Sequence, residues 1–387
     1  MNDRCPTIFL SAAETSGDIH AAGLIRSLRE RLGNVRFVGV AGEKMAAAGC
    51  EVIADLTIKA SMVTGPFLHL GYYVYKVRRL AKAIAGIRPD IFVPVDSPAL
   101  NWHLSAAAKK AGSTVVHYVC PQLWAWAPWR IKRLKRLTDH VACLLPFEVP
   151  YLQHRGVPAT FVGHPLFDHV QPRPDHMPDL IQAWADGSWS VALLPGSRSG
   201  EIRDHGLALL LTARAIRKRW PRATCRFTVS AAEDADTVRK ACGWKRGQRD
   251  EIEIVVGKTD RILACSHFAV AVSGTVTLEV AHYGVPMVIF YKVGKLNWDA
   301  VGRWLVQTPY LSLVNILSRR AIVPELIPWH GRPQRIRDMT LEVMHDLGYL
   351  LEARRRLLEM VEPLRAVPPR TAADNTADLI IRLMQRR

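Results

Sequence analysis

Two carboxylates directly follow apolar runs of the sequence, at points where a parallel β-strand would end. Glu14 follows TIFLSAA, and Asp96 follows IFVPV, after which Pro98 opens a helical pattern. Proline is favoured in the first turn of a helix. Partial removal from water raises the pKa of a carboxylate and improves its ability to take a hydroxyl proton, so Asp96 is a candidate general base. Capping of the following helix is the competing interpretation of Asp96.

Polar residues beside these two carboxylates extend the candidate site. Ser16 and Asp18 lie in the turn from Glu14 into the first helical pattern, and Asn101 lies one turn after Asp96. Ser16 or Asp18 is also suited to cap that first helix. Asn101 can orient either Asp96 or a substrate hydroxyl, because its amide both donates and accepts hydrogen bonds.

A second group of residues has the chemistry of a diphosphate site. VALLPGSRSGEI gives a strand, a glycine turn, Arg198 and a helix, and AVAVSGTVTLEV repeats this order with Ser273, Gly274 and Thr275 in the turn. Helix N-termini attract anions through free N–H groups, and an arginine adds a forked cation. Glu279, one turn later, is placed to hold a ribose diol, with solvated helix surface as the alternative. No DxD-type ligand pair accompanies these turns, so we expect no metal and no cofactor.

Short apolar strand patterns alternate with helical patterns along most of the chain, and from about residue 333 only helical patterns remain. Continuous Val/Ile/Phe runs joined by helices are typical of parallel sheets covered on both faces. A segment rich in proline and charge, QPRPDHMPD, interrupts the alternation. We predict an α/β fold with two Rossmann-like doubly wound domains that face a cleft and have C-terminal helices. The predicted parts are residues 1–170 (first Rossmann-like domain, with the candidate base), 171–185 (linker), 186–340 (second Rossmann-like domain, with the candidate diphosphate site) and 341–387 (helices that pack back toward the first domain).

The composition limits the class of partner. The 387 residues carry a net charge of +17, which favours an acidic partner: nucleic acid, an anionic membrane surface or a phosphorylated small molecule. A basic solubility shell is the alternative. No basic cluster with exposed aromatics forms a recognised nucleic-acid module, so nucleic acid is not expected.

The seven cysteines show no CxxC or Cys/His ligand spacing, and no apolar run reaches the length of a membrane-spanning helix. We therefore expect a cytoplasmic protein with at most a surface attachment to a membrane.

Two aromatic segments next to cations are candidates for that attachment. HYVCPQLWAWAPWRIKRLKR places three tryptophans before a basic helical pattern, and ASMVTGPFLHLGYYVYKVRR resembles an interfacial amphipathic helix. In such an attachment the aromatic rings would contact the bilayer surface and the cations would bind lipid phosphates. The alternative is that the aromatic side chains pack in the core and the cations are solvated. The candidate contacts are Phe67, Leu68, Tyr72, Trp124, Trp126, Trp129, Arg130 and Arg133.

An ordered set of motifs extends over roughly residues 7–328. The set includes AETSGDIHAAGLIRSL, FVGVAGEKMAAAGCE, PDIFVPVDSPALN, HYVCPQLWAWAPWR, LLPFE, FVGHPL, LLPGSRSGEI, SGTVTLEVA, PMVIFYKV and NILSRRAIVPELI. In this order the motifs resemble those of the lipid-A-disaccharide synthase family. The resemblance implies a GT-B fold and an inverting, metal-independent transfer of diacylglucosamine from UDP-2,3-diacylglucosamine to the 6-hydroxyl of 2,3-diacylglucosamine 1-phosphate. The products would be a β-1,6 disaccharide and UDP. It also implies a peripheral enzyme on the inner face of the inner membrane of a Gram-negative-type bacterium.

Site roles follow from the same resemblance. Asp96 is the general base, the acceptor side holds Glu14, Ser16, Asp18 and Asn101, and the UDP-sugar site holds Arg198, Ser273, Gly274, Thr275, Glu279 and Asn315. The chain departs from the family pattern at Ala13, at Ala99 and Leu100, and in MVTGPFLHL, which lacks the glutamate of the acceptor segment. Three alternatives stay open: an epimerase-like UDP-sugar enzyme, a paralogue with an altered acceptor, and an inactive paralogue. A homodimer also stays open.

Overall fold

Parallel strands joined by helices build both halves of the chain, which confirms the predicted α/β class. The computed structural model describes residues 5–56, 70–125, 127–171, 179–244, 252–294, 308–367 and 369–386. The chain divides into two units, Met1–His169 with Leu364–Arg387, and Val170–Pro363.

The first unit contains a seven-stranded sheet of order β3-β2-β1-β4-β5-β6-β7, and its paired strands are parallel. The order reverses between β1 and β4, which is where ligands of doubly wound sheets bind. Its strands are β1 (Thr7–Ala12), β2 (Arg36–Val40), β3 (Glu51–Ala54), β4 (Ile91–Val95), β5 (Thr114–Tyr118), β6 (His140–Cys143) and β7 (Ala159–Phe161). Its first helices are α1 (Thr15–Leu32), α2 (Glu43–Ala47), α3 (Leu70–Ile87), α4 (Pro98–Lys110), α5 (Ile131–Leu137) and α6 (Glu148–Gln153).

The second unit repeats this design with a six-stranded parallel sheet of order β10-β9-β8-β11-β12-β13. The order reverses between β8 and β11. The strands are β8 (Ser190–Leu194), β9 (Thr224–Val229), β10 (Glu253–Val256), β11 (Phe268–Val272), β12 (Met287–Lys292) and β13 (Glu325–Trp329). The helices are α7 (Leu180–Asp186), α8 (Ser199–Arg219), α9 (Ala232–Ala241), α10 (Thr259–Ala264), α11 (Val276–His282) and three later ones, Leu313–Ser318, Pro333–His345 and Leu347–Val361.

The central strands are apolar on both faces because helices cover both sides of each sheet. Along β1, Ile8 and Leu10 belong to one apolar cluster and Phe9 to another, as the alternation of side chains in a strand requires. Every residue of β4 and of β11 is buried. These fully buried strands end directly before the candidate site residues Asp96 and Ser273.

The closing helices differ from the predicted boundaries. Residues 347–361 pack in the second unit, where helix Leu347–Val361 contributes Leu350 to its core. Among the closing α-helices that the structure describes, Ala372–Gln385 belongs to the first unit, where Asp374 accepts a hydrogen bond from Ser27 Oγ (2.6 Å). Inside the predicted linker, residues 172–178 lie outside the described residues, and α7 follows with Leu180 and Ala183 buried in the second core.

Two strands were not predicted. β3 is a short edge strand whose residues are exposed or half-buried, so it lacks the apolar run that identified its neighbours. β13 contains Pro328, and proline cannot donate to a ladder, which lowers the strand signal of the sequence.

Candidate functional site

Glu14 and Asp96 meet at the carboxyl edge of the first sheet. β1 pairs with β4 with Ala12 opposite Val95, so the residues that follow these two strands are neighbours at the point where the strand order reverses. Burial, followed by the charge of Glu14, raises the pKa of Asp96, against a lowering by the N–H of Ser97. The carboxylate of Asp96 is half-buried. It therefore combines access to solvent with an increased proton affinity.

The backbone at Asp96 is held in a tight left-handed turn. Asp96 has φ 48° and Ser97 has φ 45°, a conformation in which aspartate and asparagine are tolerated better than most residues. The N–H of Asp96 donates to the carbonyl of Tyr118 (3.1 Å). The Asn101 amide donates to the carbonyl of Asp96 (2.6 Å) and to that of Val95 (3.2 Å). Asn101 is fully buried, and through these bonds it orients the main chain of Asp96.

The remaining acceptor-side residues have different environments. Ser16 is exposed in the first turn of α1. Asp18 is buried, and its carboxylate accepts from the backbone N–H groups of Gly42 (2.9 Å), Lys44 (2.9 Å) and Met45 (3.1 Å). Asp18 therefore caps the neighbouring helix α2, and its predicted place on the acceptor side stays a prediction. Capping of its own helix α1, the alternative, is not observed.

Arg198 is the N-cap residue of α8 in the second unit. β8 and β11 are neighbours with Leu194 opposite Ala271, so the turn before α8 and the Ser273–Thr275 turn follow adjacent strands. The Arg198 side chain is 71% exposed and contacts Glu201 (Nη1 to Oε1 3.2 Å). The N–H groups of Ser197 and Arg198 both donate to Glu201. These two N–H groups therefore donate to a carboxylate of the protein itself. The sequence did not predict this role of Glu201.

The Ser273–Thr275 turn and Glu279 form the other part of this edge. Gly274 and Thr275 are exposed and Ser273 is half-buried. Glu279 lies on α11, where burial and, secondarily, the charge of Asp260 raise its pKa to about 7. Near neutral pH a fraction of Glu279 is therefore protonated and can donate a hydrogen bond to a hydroxyl.

Asn315 is buried and fully hydrogen-bonded within the protein. Its Nδ2 donates to the carbonyl of Val323 (2.9 Å) and to Glu325 (2.9 Å), and its Oδ1 accepts from the N–H groups of Ile322 (2.9 Å) and Val323 (3.2 Å). An asparagine amide has no further strong donor to offer a ligand after these bonds. Asn315 therefore fixes the segment between its helix and β13, and its predicted place in the UDP-sugar site stays a prediction.

A family model described as "Lipid-A-disaccharide synthetase" matches residues 8–359. The chain belongs to the lipid-A-disaccharide synthetase family. It is 33% identical to a lipid-A-disaccharide synthase of Geobacter sulfurreducens over 92% of each chain. It is also 32% identical to that of Nitrosococcus oceani over 98% of each chain. The predicted family is thus confirmed.

Solved structures with the same fold include UDP-sugar enzymes. A UDP-N-acetylglucosamine 2-epimerase from Neisseria meningitidis bound to UDP-GlcNAc has a TM-score of 0.59 and 12% identity, with 99% of this chain and 100% of that chain covered. The calicheamicin glycosyltransferase CalG4 has a TM-score of 0.58 and 16% identity, with 99% of each chain covered. These similarities confirm the predicted GT-B fold.

The tryptophan segment of this family member is partly tied to its own unit. Trp124 donates to Glu148 (Nε1 to Oε1 3.1 Å), and Trp126 lies outside the described residues. Trp129 is 61% exposed. The guanidinium groups of Arg130 and Arg133 lie over the ring of the buried Trp102, 4.2 and 4.7 Å from its centroid. The basic helix is therefore anchored to the core by cation–π contacts, and Trp129 is the exposed aromatic of the described part of this segment.

The other aromatic segment is described from Leu70 onward. Phe67 and Leu68 lie outside the described residues, and Tyr72 lies in the first turn of α3. Further along α3, Tyr73 and Tyr75 are exposed. Among the residues that the structure describes, no helix has both the length and the hydropathy that crossing a membrane requires.

One cluster with metal-ligand chemistry occurs among the described residues and is not visible in the cysteine spacing. The ligand atoms of Cys120, Cys143 and Glu148 lie within 4.8 Å of one another, and all three residues are buried. Burial raises the pKa of Glu148 to about 7, and its oxygens accept from Trp124 (3.1 Å) and from the N–H of Leu145 (3.1 Å). Because hydrogen bonds already satisfy the carboxylate, we interpret the cluster as a structural link between the tryptophan segment and the LLPFE turn.

Proposed function

We propose that Asp96 is the general base of a glycosyl transfer from UDP-2,3-diacylglucosamine to 2,3-diacylglucosamine 1-phosphate. As a member of its family, the chain is a glycosyltransferase that forms the lipid A disaccharide. The observation that carries the proposal is the position of Asp96: a half-buried carboxylate with a raised pKa, held in a strained turn at the strand-order reversal. Strain retained at such a point is typical of functional sites.

The proposed reaction is a single displacement with inversion. The carboxylate of Asp96 takes the proton of the acceptor 6-hydroxyl as that oxygen attacks the anomeric carbon of the donor sugar. The bond between this carbon and the diphosphate breaks, and UDP leaves. Asn101 supports this step by holding the carbonyl of Asp96 (2.6 Å).

The second unit is proposed to bind UDP. Arg198 stabilises the charge of the departing diphosphate, and the exposed Ser273–Thr275 turn lies on the adjacent strand end. Glu279, with its pKa near 7, holds the ribose diol. Asn315 is proposed to belong to the same site, where its hydrogen bonds fix the segment between its helix and β13.

Product analysis tests the proposal directly. The purified chain is incubated with UDP-2,3-diacylglucosamine and detergent-dispersed 2,3-diacylglucosamine 1-phosphate, and product mass and released UDP are measured. A β-1,6 disaccharide phosphate with equimolar UDP is expected. Conversion of soluble UDP-N-acetylglucosamine without an acylated acceptor would favour the epimerase alternative, and UDP release without a disaccharide would refute the acceptor assignment.

We also propose peripheral attachment to an anionic membrane surface, on the inner face of the inner membrane of a Gram-negative-type bacterium. The exposed ring of Trp129, the exposed Tyr73 and Tyr75 on α3, and the net charge of +17 support this attachment. Each basic residue near an anionic surface contributes on the order of 1 kcal/mol.

Co-sedimentation with vesicles tests the attachment. Anionic vesicles should retain the protein at low salt, and Trp129→Ala should weaken retention. Trp184→Ala is the matched control, because Trp184 is a 40% exposed tryptophan of the second unit. Equal retention of the wild-type protein by neutral and anionic vesicles would contradict the electrostatic part of the proposal.

A further inference from the structure

Glu201 lies in the first turn of α8, and its side chain folds back over the turn that precedes this helix. Its Oε2 accepts from the N–H of Ser197 (3.1 Å) and from that of Arg198 (3.3 Å), and its Oε1 accepts from Arg198 Nη1 (3.2 Å). The Glu201 side chain is only 13% exposed, whereas that of Arg198 is 71% exposed. A nearly buried carboxylate thus holds both the backbone and the side chain of a solvent-facing arginine.

The rest of the turn is built around this carboxylate. Gly196 has φ 102°, and a Cβ at this position would lie 2.7 Å from Glu201 Oε2 and 2.8 Å from Glu201 Cβ. Glycine is therefore required here both by the backbone conformation and by the Glu201 side chain. A larger residue at position 196 would displace the carboxylate from the N–H groups that it accepts from.

Residues of β12 and α8 also contact Glu201. Tyr291 on β12 directs its hydroxyl at Oε1 (3.5 Å). Nδ1 of the buried His205 lies 2.6 Å from the carbonyl oxygen of Glu201. Nε2 of the same ring accepts a hydrogen bond from the N–H of Lys292 (2.9 Å). Lys292 pairs with Asp204 (2.6 Å). The position of Glu201 is therefore fixed by β12 and by its own helix α8, in addition to its bonds with the preceding turn.

We propose that Glu201 is a positioning residue for the glycosyl transfer, which holds the Gly196–Arg198 turn so that the Arg198 guanidinium meets the UDP diphosphate. This inference rests on the proposed role of Arg198 in UDP binding. A carboxylate at this point also repels a diphosphate, so positioning and repulsion act in opposite directions on UDP affinity. The sign of the change on removing the charge of Glu201 distinguishes them.

The experiment measures UDP affinity by titration calorimetry, together with donor KM and kcat, for the full-length chain and four variants. These are Glu201→Gln, Arg198→Ala, the double variant, and Glu233→Gln. Glu233→Gln is the matched control, because Glu233 is an exposed glutamate in the first turn of the neighbouring helix α9. Thermal unfolding of each variant verifies that the second unit is folded.

If Glu201 positions Arg198, Glu201→Gln should weaken UDP binding roughly 10-fold, the size of one lost charge-assisted hydrogen bond. Within the Arg198→Ala background the same change should cost less than about 3-fold, because the two residues act as one unit. Glu233→Gln should bind UDP like the wild-type chain.

Two opposing results have different meanings. If Arg198→Ala weakens UDP binding but Glu201→Gln leaves it unchanged or tightens it, the positioning role is refuted and the role of Arg198 stands. If Arg198→Ala binds UDP and turns over like the wild-type chain, the proposed role of Arg198 is refuted, and that of Glu201 is refuted with it.

Discussion

Replacement of Asp96 by asparagine is the sharpest test of the catalytic proposal. The substitution removes the proton-accepting oxygen but keeps the shape of the side chain. It also keeps the fold of the turn, because asparagine tolerates the left-handed conformation that Asp96 adopts at φ 48°. The main-chain bonds of this turn, from the N–H of Asp96 to Tyr118 and from Asn101 to the carbonyl of Asp96, are unchanged. The side-chain oxygen of asparagine can still accept from the N–H of Ser97, as the carboxylate does. Alanine is a poorer choice, since left-handed backbone at alanine adds a strain of about 1 kcal/mol.

The magnitude follows from the role of a general base. Such a base contributes roughly 10²–10⁴-fold to the rate, or about 3–5 kcal/mol of barrier at about 1.36 kcal/mol per tenfold. Burial and the charge of Glu14 raise the pKa of Asp96, which strengthens it as a proton acceptor. We therefore expect Asp96→Asn to lower kcat by at least about 100-fold while UDP affinity stays within about 2-fold.

The assay is UDP release with detergent-dispersed acceptor, run beside calorimetric UDP titration and thermal unfolding. A folded Asp96→Asn variant with normal UDP binding and a wild-type rate would refute the assignment of Asp96. A variant that loses UDP binding and thermal stability together would show that Asp96 serves the fold rather than the proton transfer.

Further predictions concern the charge and hydrogen-bond environment of the two sites. Glu14→Gln removes a charge that raises the pKa of Asp96, so the acidic limb of the kcat/KM profile should move to lower pH; an unmoved limb would mean that the limb does not report Asp96. Burial, then the charge of Asp260, raises the pKa of Glu279 from 4.5 to about 7. Because the folded chain binds this proton more tightly than the unfolded chain, Glu279 contributes at most about 3 kcal/mol to the free energy of unfolding. This contribution is complete below about pH 4.5 and is lost as the pH rises through about 7. Glu279→Gln should abolish that decline in urea unfolding measured across this pH range, and an identical pH profile would contradict the burial argument. Asn315→Ala breaks four hydrogen bonds, two of them accepted from buried N–H groups, and should destabilise the second unit by about 3 kcal/mol in urea; a change below about 1 kcal/mol would show that water replaces the amide.

The sequence by itself determined the fold class and the ends of the strands. Continuous apolar runs such as IFVPV and FAVAV are recognisable because buried parallel strands need apolar residues on both faces, and a polar residue after such a run marks the carboxyl edge. Asp96, Arg198 and the Ser273–Thr275 turn all follow from that local rule. The order of the motifs was sufficient to predict the family.

Only the tertiary structure decided which partner each polar side chain has. Asp18 accepts hydrogen bonds from the N–H groups of Gly42, Lys44 and Met45. Asn315 donates to Glu325, and Arg130 lies over Trp102. None of these pairs is marked by local periodicity, because a hydrogen bond or a cation–π contact depends on distance and direction in space, and the chain brings these groups together only after its sheets have formed. The same physical reason distinguishes two aspartates of this chain. Asp96 stays half-buried at a sheet edge, whereas the carboxylate of Asp18 accepts hydrogen bonds from the N-terminus of α2.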